Sequence, residues 1–113
     1  MKLDKILTTA FACAAMTAAS QVALADDNGV GQSIHSTVRV GKKMCFDGHS
    51  HSGAGTGASQ KVAEMSAINN WAGFTAWEYG TDWANIGKAI KKSMKCGRSG
   101  SGYNCDLEAT PCK

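Results

Sequence analysis

The central segment of the chain, residues 59–80, reads SQKVAEMSAINNWAGFTAWEYG. Its apolar residues recur at intervals of three to four, which predicts one helix over residues 59–79. Ser59 is a suitable N-cap, because its side-chain oxygen can accept a hydrogen bond from a backbone N–H of the first turn. Gly80 can adopt the positive φ that often ends a helix. The face expected to be buried carries Met65, Ile68, Ala72, Thr75 and Tyr79.

This predicted helix is apolar around more of its circumference than a surface helix usually is. Its charged residues are Lys61, Glu64 and Glu78. Trp71, Phe74 and Trp77 spread over more than one face, so we expect a sheet to cover the helix. Gly73 weakens it by about 1 kcal/mol relative to Ala. Packing, rather than intrinsic helix propensity, therefore has to stabilise it.

The chain before the helix contains strand patterns. Residues 34–40 alternate with period two, and residues 44–46 either continue that strand or begin a second one. Asp47 and Gly48 indicate a turn. The apolar face of the first strand would carry Ile34, Val38 and Val40.

The chain after the helix predicts a hairpin. Residues 82–90 fit either a short helix or the approach to a strand, and residues 93–96 then form a strand. A turn-rich loop over residues 97–102 leads to a second strand over residues 103–109. One face of that strand carries Tyr103, Cys105, Leu107 and Ala109. The fold class is therefore α+β: one small domain with a main helix packed on a short antiparallel sheet.

Small residues dominate the segment that precedes the helix. Residues 48–59 read GHSHSGAGTGAS, and four of the first ten are Gly. With so little to pack, this segment is expected to be a mobile loop. The expected organisation is a strand region and Gly/Ser/His-rich loop over residues 26–58, followed by a helix and hairpin module over residues 59–113.

The first 25 residues have the layout of a secretory signal peptide. Lys2 and Lys5 precede an uncharged apolar stretch over residues 6–19, and residues 23–25 read ALA. Small residues at these positions are typical of a signal peptidase site, which predicts cleavage between Ala25 and Asp26. A membrane-spanning helix needs about 20 apolar residues, and this stretch is shorter. The protein is therefore expected to be exported from the cell interior.

The 88 residues that would remain have little aliphatic material for a core. Leu, Ile, Val and Phe together number 11, whereas Gly numbers 13. After loss of Lys2, Lys5 and Asp4, 10 basic and 8 acidic residues remain, so the charge does not require a nucleic-acid or membrane partner. A domain this small usually needs covalent help.

Cysteine can provide that help. Cys13 would leave with the signal peptide, and the four other cysteines are Cys45, Cys96, Cys105 and Cys112. An even number in a small exported domain predicts disulfides. Of the three possible pairings, we favour Cys96–Cys105 across the hairpin turn and Cys45–Cys112 between the N-terminal half and the C-terminus.

The second half of the chain resembles a known group of proteins. The residues concerned are Ala67-Ile68, Trp71, Tyr79-Gly80, Trp83, Ala89, Cys96, Tyr103 two residues before Cys105, and Ala109-x-Pro111-Cys112. This pattern is similar to the C-terminal helix–hairpin module of small exported proteins of proteobacteria. The resemblance implies a bacterial, periplasmic or secreted protein and a helix–hairpin architecture. It implies no catalytic residues.

Histidines suggest a metal site. His49 and His51 are two residues apart, so they could share a metal on a strand face or converge in a loop. His35 and Asp47 could add ligands. Such a pair suits Cu or Zn at low affinity, because ordering a loop costs about 1–2 kcal/mol per residue. The alternative is a polar loop that happens to hold two exposed histidines.

Basic residues follow Trp83 without an intervening acid. This basic run comprises Lys88, Lys91, Lys92, Lys95 and Arg98. With nearby aromatic residues, it could present a surface over residues 83–103 to an anionic or protein partner. The alternative is a solvated edge whose lysines prevent strand-to-strand aggregation.

The aromatic residues allow two interpretations. They are Trp71, Trp77, Tyr79, Trp83 and Tyr103. They could form a sugar-stacking platform, but in a chain this poor in aliphatic residues they are expected to form the core, with Trp77 as the first exception.

The chain matches neither phosphate-loop pattern, and no spacing indicates a nucleophile with its base, so no catalytic residues and no cofactor are predicted. The sequence favours an exported binding or structural module, with metal binding through His49 and His51 as the alternative.

Overall fold

The computed structural model describes residue 31 and residues 34–113. The predicted signal peptide, Cys13 and the cleavage site lie outside these residues. The described part contains one α-helix, α1, at Gln60–Tyr79, and a short 3-10 turn at Thr81–Trp83. Its strands are β1 Thr37–Val40, β2 Lys43–Phe46, β3 His51–Gly57, β4 Ile90–Ser99 and β5 Gly102–Thr110. The predicted α+β class is confirmed: the helix packs on antiparallel strands in one small domain.

Helix α1 begins and ends where the sequence predicts. The Ser59 side chain accepts a hydrogen bond from the Val62 N–H at 3.2 Å. Gly80, with φ of 103°, donates its N–H to the Ala76 carbonyl at 2.8 Å. Gly suits this position because a φ in this range strains any residue with a Cβ.

The buried face of α1 matches the predicted one in part, since Thr75 and Tyr79 are buried and Ile68 and Ala72 pack against the core. The helix buries Ala63, Ala67, Trp71, Thr75 and Tyr79. Met65 is 57% exposed instead. The helix turns Ala63 and Ala67 towards the sheet, and their small side chains let the two backbones approach closely. Trp71 fills the centre of the interface, and its Nε1 donates to the Ala109 carbonyl at 3.2 Å.

The main sheet has three antiparallel strands in the order β3-β5-β4. The predicted hairpin is β4 and β5, which run through most of the expected loop and leave only Gly100 and Ser101 as the turn. Strand β5 is central, and it buries Cys105, Leu107 and Ala109 towards the helix. Its alternate residues Asp106 and Glu108 are exposed, as the period-two pattern predicts.

The loop expected over residues 48–59 is a strand for most of its length, so that prediction is wrong. Strand β3 occupies His51–Gly57 and pairs with β5 from His51↔Ala109 to Gly57↔Tyr103. Its glycines face the helix: a Cβ at Gly55 would lie 2.6 Å from the Ala63 carbonyl oxygen. Glycine disfavours strands in general, but here its missing side chain allows helix and strand backbones to touch.

A second, two-stranded sheet consists of β1 and β2, which pair from Thr37↔Phe46 to Val40↔Lys43. This arrangement confirms that the second strand is separate. The apolar face predicted for residues 34–40 is not buried: Ile34 precedes β1 and is 78% exposed. The hairpin is instead held through β2, where Phe46 packs with Tyr79 and Trp83.

Two disulfides connect these elements. Cys96–Cys105 joins β4 to β5, and Cys45–Cys112 joins β2 to the C-terminal segment. These are the favoured pairings. Backbone hydrogen bonds accompany the second bridge: the N–H groups of Met44 and Lys113 each donate to the other residue's carbonyl. Over the described residues, no helix is long and apolar enough to cross a membrane.

Candidate metal centre

All three histidines of the chain meet at one end of the helix. His35 precedes β1, His49 lies between β2 and β3, and His51 is the first residue of β3. The rings of His35 and His49 are 4.2 Å apart between centroids, and those of His49 and His51 are 5.3 Å apart. Glu78, in the last turn of α1, supplies a carboxylate to the same cluster.

Three of these side chains are positioned to share a metal ion. His35, His49 and Glu78 each offer one ligand atom, and the three atoms lie within 4.8 Å of one another. Bonds of about 2.0–2.1 Å to a tetrahedral zinc would place ligand atoms roughly 3.3 Å apart, so a small contraction closes the site. All three side chains are half-buried, so none of them is fully shielded from solvent.

A hydrogen bond fixes the tautomer of the neutral His35 side chain. Its Nδ1 lies 2.7 Å from the Gly31 carbonyl oxygen. A carbonyl can only accept, so Nδ1 carries the proton and Nε2 keeps its lone pair. Histidines that bind metals commonly donate their second nitrogen to a carbonyl or carboxylate in this way.

His51 lies behind these residues and is buried. Its Nδ1 is 3.1 Å from Thr75 Oγ1, and its ring lies between Phe74 and Tyr79, with centroids at 4.8 Å and 4.6 Å. Its Nε2 approaches Glu78 Oε2 to 2.9 Å. This approach is close but not aligned as a hydrogen bond, so Nε2 has no hydrogen-bond partner.

Burial shifts the pKa values of two side chains in this region, His51 and Tyr79. It lowers the pKa of His51 from the usual 6.5; Glu78 opposes this shift, whereas His49 and His35 add to it. Burial and the neighbouring Glu78 carboxylate raise the pKa of Tyr79, so its phenol stays protonated. His51 is therefore neutral at physiological pH.

Sequence and structure agree on part of this cluster. The two histidines of the expected pair have different surroundings. His49 is half-buried and belongs to the group of close ligand atoms, whereas His51 is buried next to Glu78. His35 joins as anticipated, whereas Asp47 is exposed and lies outside the group of close ligand atoms. Glu78 was missed, because it lies 27 residues beyond His51 and only the packing of β3 on α1 brings them together.

The basic run is exposed along β4 and the turn before it. A bulge between Ile90 and Ser93 includes Lys91, which has a φ of 51°. Lys95 stands opposite Asp106 in the sheet, and Arg98 donates to the Tyr103 hydroxyl at 2.9 Å. Lys92 Nζ donates to the Ile86 carbonyl at 3.4 Å, and the side chains of Lys88, Lys91 and Lys92 are all exposed.

Most of the aromatic residues form the core, as expected. Trp71, Tyr79 and Trp83 are buried, and Tyr103 is half-buried against the helix–sheet cluster. Trp77, the expected exception, is 65% exposed.

Comparisons of the chain with protein-family models, with curated proteins and with solved structures find no match. The resemblance to exported proteobacterial proteins therefore stays a prediction, and the functional proposal rests on the geometry of the histidine cluster.

Proposed function

We propose that this is an exported protein that binds a divalent transition metal through His35, His49 and Glu78. The observation that supports this most is the convergence of the three side chains from separate segments, with the tautomer of His35 fixed by a hydrogen bond to Gly31. Hydrogen-bonded histidines of this kind are oriented before the ion arrives, so binding costs less ordering than it would in a flexible loop.

The donor set indicates which ions would bind. Two imidazoles and one carboxylate suit Zn²⁺ and Cu²⁺, whereas Mg²⁺ and Ca²⁺ prefer oxygen ligands throughout. Copper would bind more tightly than zinc at equal concentration, following the general order of divalent affinities. The disulfides fit an oxidising compartment, where soft thiolate ligands would not compete.

Calorimetric titration of the metal-free protein with Zn(II) and Cu(II) tests this proposal. We expect one equivalent to bind in the micromolar range or tighter, and Glu78→Gln to abolish or greatly weaken binding. Glu64→Gln is the matched control, because Glu64 lies on the same helix, bonded to Gln60 and away from the cluster. Absence of heat in the wild-type protein, or equal binding by Glu78→Gln, would contradict the proposal.

A second candidate function is docking through the basic run to an anionic envelope component or a protein. It is favoured by the exposure of Lys88, Lys91 and Lys92 around the bulge. Reversing these three charges to Glu should reduce binding to anionic vesicles or polysaccharide, and the effect should fade at high salt. Lys61→Glu, an exposed change on the helix, is the control. Unchanged binding by the triple variant would remove the candidate.

A further inference from the structure

The carboxylate of Glu78 serves two sides of the cluster. One side faces His35 and His49, and Oε2 lies 2.9 Å from His51 Nε2. Behind His51, Nδ1 contacts the Thr75 hydroxyl at 3.1 Å. A chain of contacts thus leads from the buried Thr75 through His51 to the half-buried Glu78.

His51 contacts Glu78 at 2.9 Å without an aligned hydrogen bond, and it is more enclosed than the three candidate ligands. Its ring is stacked on Tyr79 with an interplanar angle of 23° and flanked by Phe74. It is buried, whereas the three candidate ligands are half-buried. The group of ligand atoms within 4.8 Å of one another includes His35, His49 and Glu78 but not His51.

We propose that His51 is a positioning residue for Glu78, and that the bound metal keeps one coordination position open for an exogenous ligand. This inference rests on the proposed metal binding. Sites with three protein ligands commonly complete their coordination with water or an external ligand, and their ligating carboxylates are in turn held by neighbours. The three ligands are half-buried rather than fully enclosed, so a small ligand can reach the ion that they would hold.

The charge of the site indicates the ligand class. A divalent ion bound by one carboxylate and two neutral imidazoles retains about one positive charge. Water would occupy the open position at rest, and a small monodentate anion would displace it. The three protein ligands leave no second carboxylate in the group to repel such an anion.

Cobalt(II) is the probe for the open position, because its visible absorption reports coordination number and ligand exchange. We expect the Co(II)-loaded protein to change its visible spectrum saturably as azide is added. An unchanged spectrum would overturn the open position while leaving metal binding intact. If the wild-type protein bound no Co(II), Zn(II) or Cu(II), the proposed function itself would fail, so the two failures are distinguishable.

His51→Gln tests the positioning role. We expect Co(II) affinity to fall by about 10–100-fold, the range seen when a residue behind a ligand is changed, while the spectrum of the loaded site and its response to azide persist. His49→Ala, which removes a ligand, should instead change the spectrum. If His51→Gln altered the spectrum as His49→Ala does, His51 would be a ligand and the inference would be wrong. Far-ultraviolet circular dichroism would verify that both variants fold.

Discussion

His51 couples the folding of this protein to pH. Its ring is almost completely enclosed, and burial holds its pKa below the usual 6.5 despite the opposing charge of Glu78. Well above pH 6.5 the imidazole is neutral in both the folded and the unfolded chain. As the pH falls below 6.5, the unfolded chain takes up the proton first, so the free energy of unfolding decreases.

His51→Phe should reduce this pH dependence. Phenylalanine keeps a ring between Phe74 and Tyr79 but cannot be protonated. We expect the metal-free wild-type protein to lose more stability than the variant between about pH 7.5 and about pH 5.5. Urea denaturation at both pH values, with a chelator present, measures the difference. Equal losses in the two proteins would show that His51 does not cause the effect.

At the level of single residues, the sequence reveals donor types but not their partners. His35, His49 and His51 could be recognised as candidates because they are the only histidines and two of them are close in sequence. Nothing in the spacing links Glu78 to them. That contact depends on which residues of β3 and α1 face each other, and the register of packing was not predictable from the segment taken as a loop.

Among the elements, the helix and the hairpin were predictable and β3 was not. The helix has a cap, a periodic apolar pattern and a terminal glycine, and β5 has clean alternation. Strand β3 also alternates, with Gly53, Gly55 and Gly57 facing the helix. Its inward residues are small rather than hydrophobic, so the usual signal for a half-buried strand is absent.

A glycine pair tests this account of how β3 packs. A methyl group at Gly55 would overlap backbone atoms of Ala67 and Ala63, whereas one at Gly73 on the outer side of α1 would meet nothing within 4 Å. We expect Gly55→Ala to destabilise the protein by about 2 kcal/mol or more, because rigid backbones cannot move apart without opening the core. Gly73→Ala should stabilise it by about 0.5–1 kcal/mol.

Urea denaturation of the two variants provides the comparison, since each adds one methyl group. If Gly55→Ala were as stable as the wild-type protein, the close contact between β3 and α1 would be wrong. The proposed metal site depends on the same contact, because β3 carries His51 and α1 carries Glu78. Gly55→Ala is therefore also expected to weaken metal binding, although it lies outside the cluster.

At the scale of the whole molecule, the described residues form two separate buried clusters rather than one large core. One lies between α1 and the three-stranded sheet around Trp71, and the other joins Phe46, Tyr79 and Trp83. Of the two clusters, the second is the one to which the β1–β2 hairpin contributes a buried side chain, Phe46. The Cys45–Cys112 bridge fixes β2 beside the C-terminal segment, so it maintains the position of both Phe46 and the histidines that flank this hairpin.

The two disulfides should therefore contribute unequally. Cys45–Cys112 spans 67 positions and Cys96–Cys105 spans 9. Loop-closure entropy then gives about 4 kcal/mol for the first and about 2.5 kcal/mol for the second. We expect the double variant Cys45→Ala/Cys112→Ala to lose more stability in urea than Cys96→Ala/Cys105→Ala, and its affinity for Zn(II) to fall as well, because His35 and His49 flank the released hairpin.

The protein isolated from the periplasm or medium of an expressing bacterium provides the starting material for this comparison. Its intact mass should correspond to a chain that begins at Asp26 and contains no free thiol. A mass that retained residues 1–25 would contradict the predicted cleavage, whereas alkylation of any cysteine would contradict the two bridges. The disulfide prediction would be wrong if Cys96→Ala/Cys105→Ala were the less stable double variant. The bridge between β4 and β5 would then contribute more stability than Cys45–Cys112, and Cys45–Cys112 would have no special role in holding the proposed metal site.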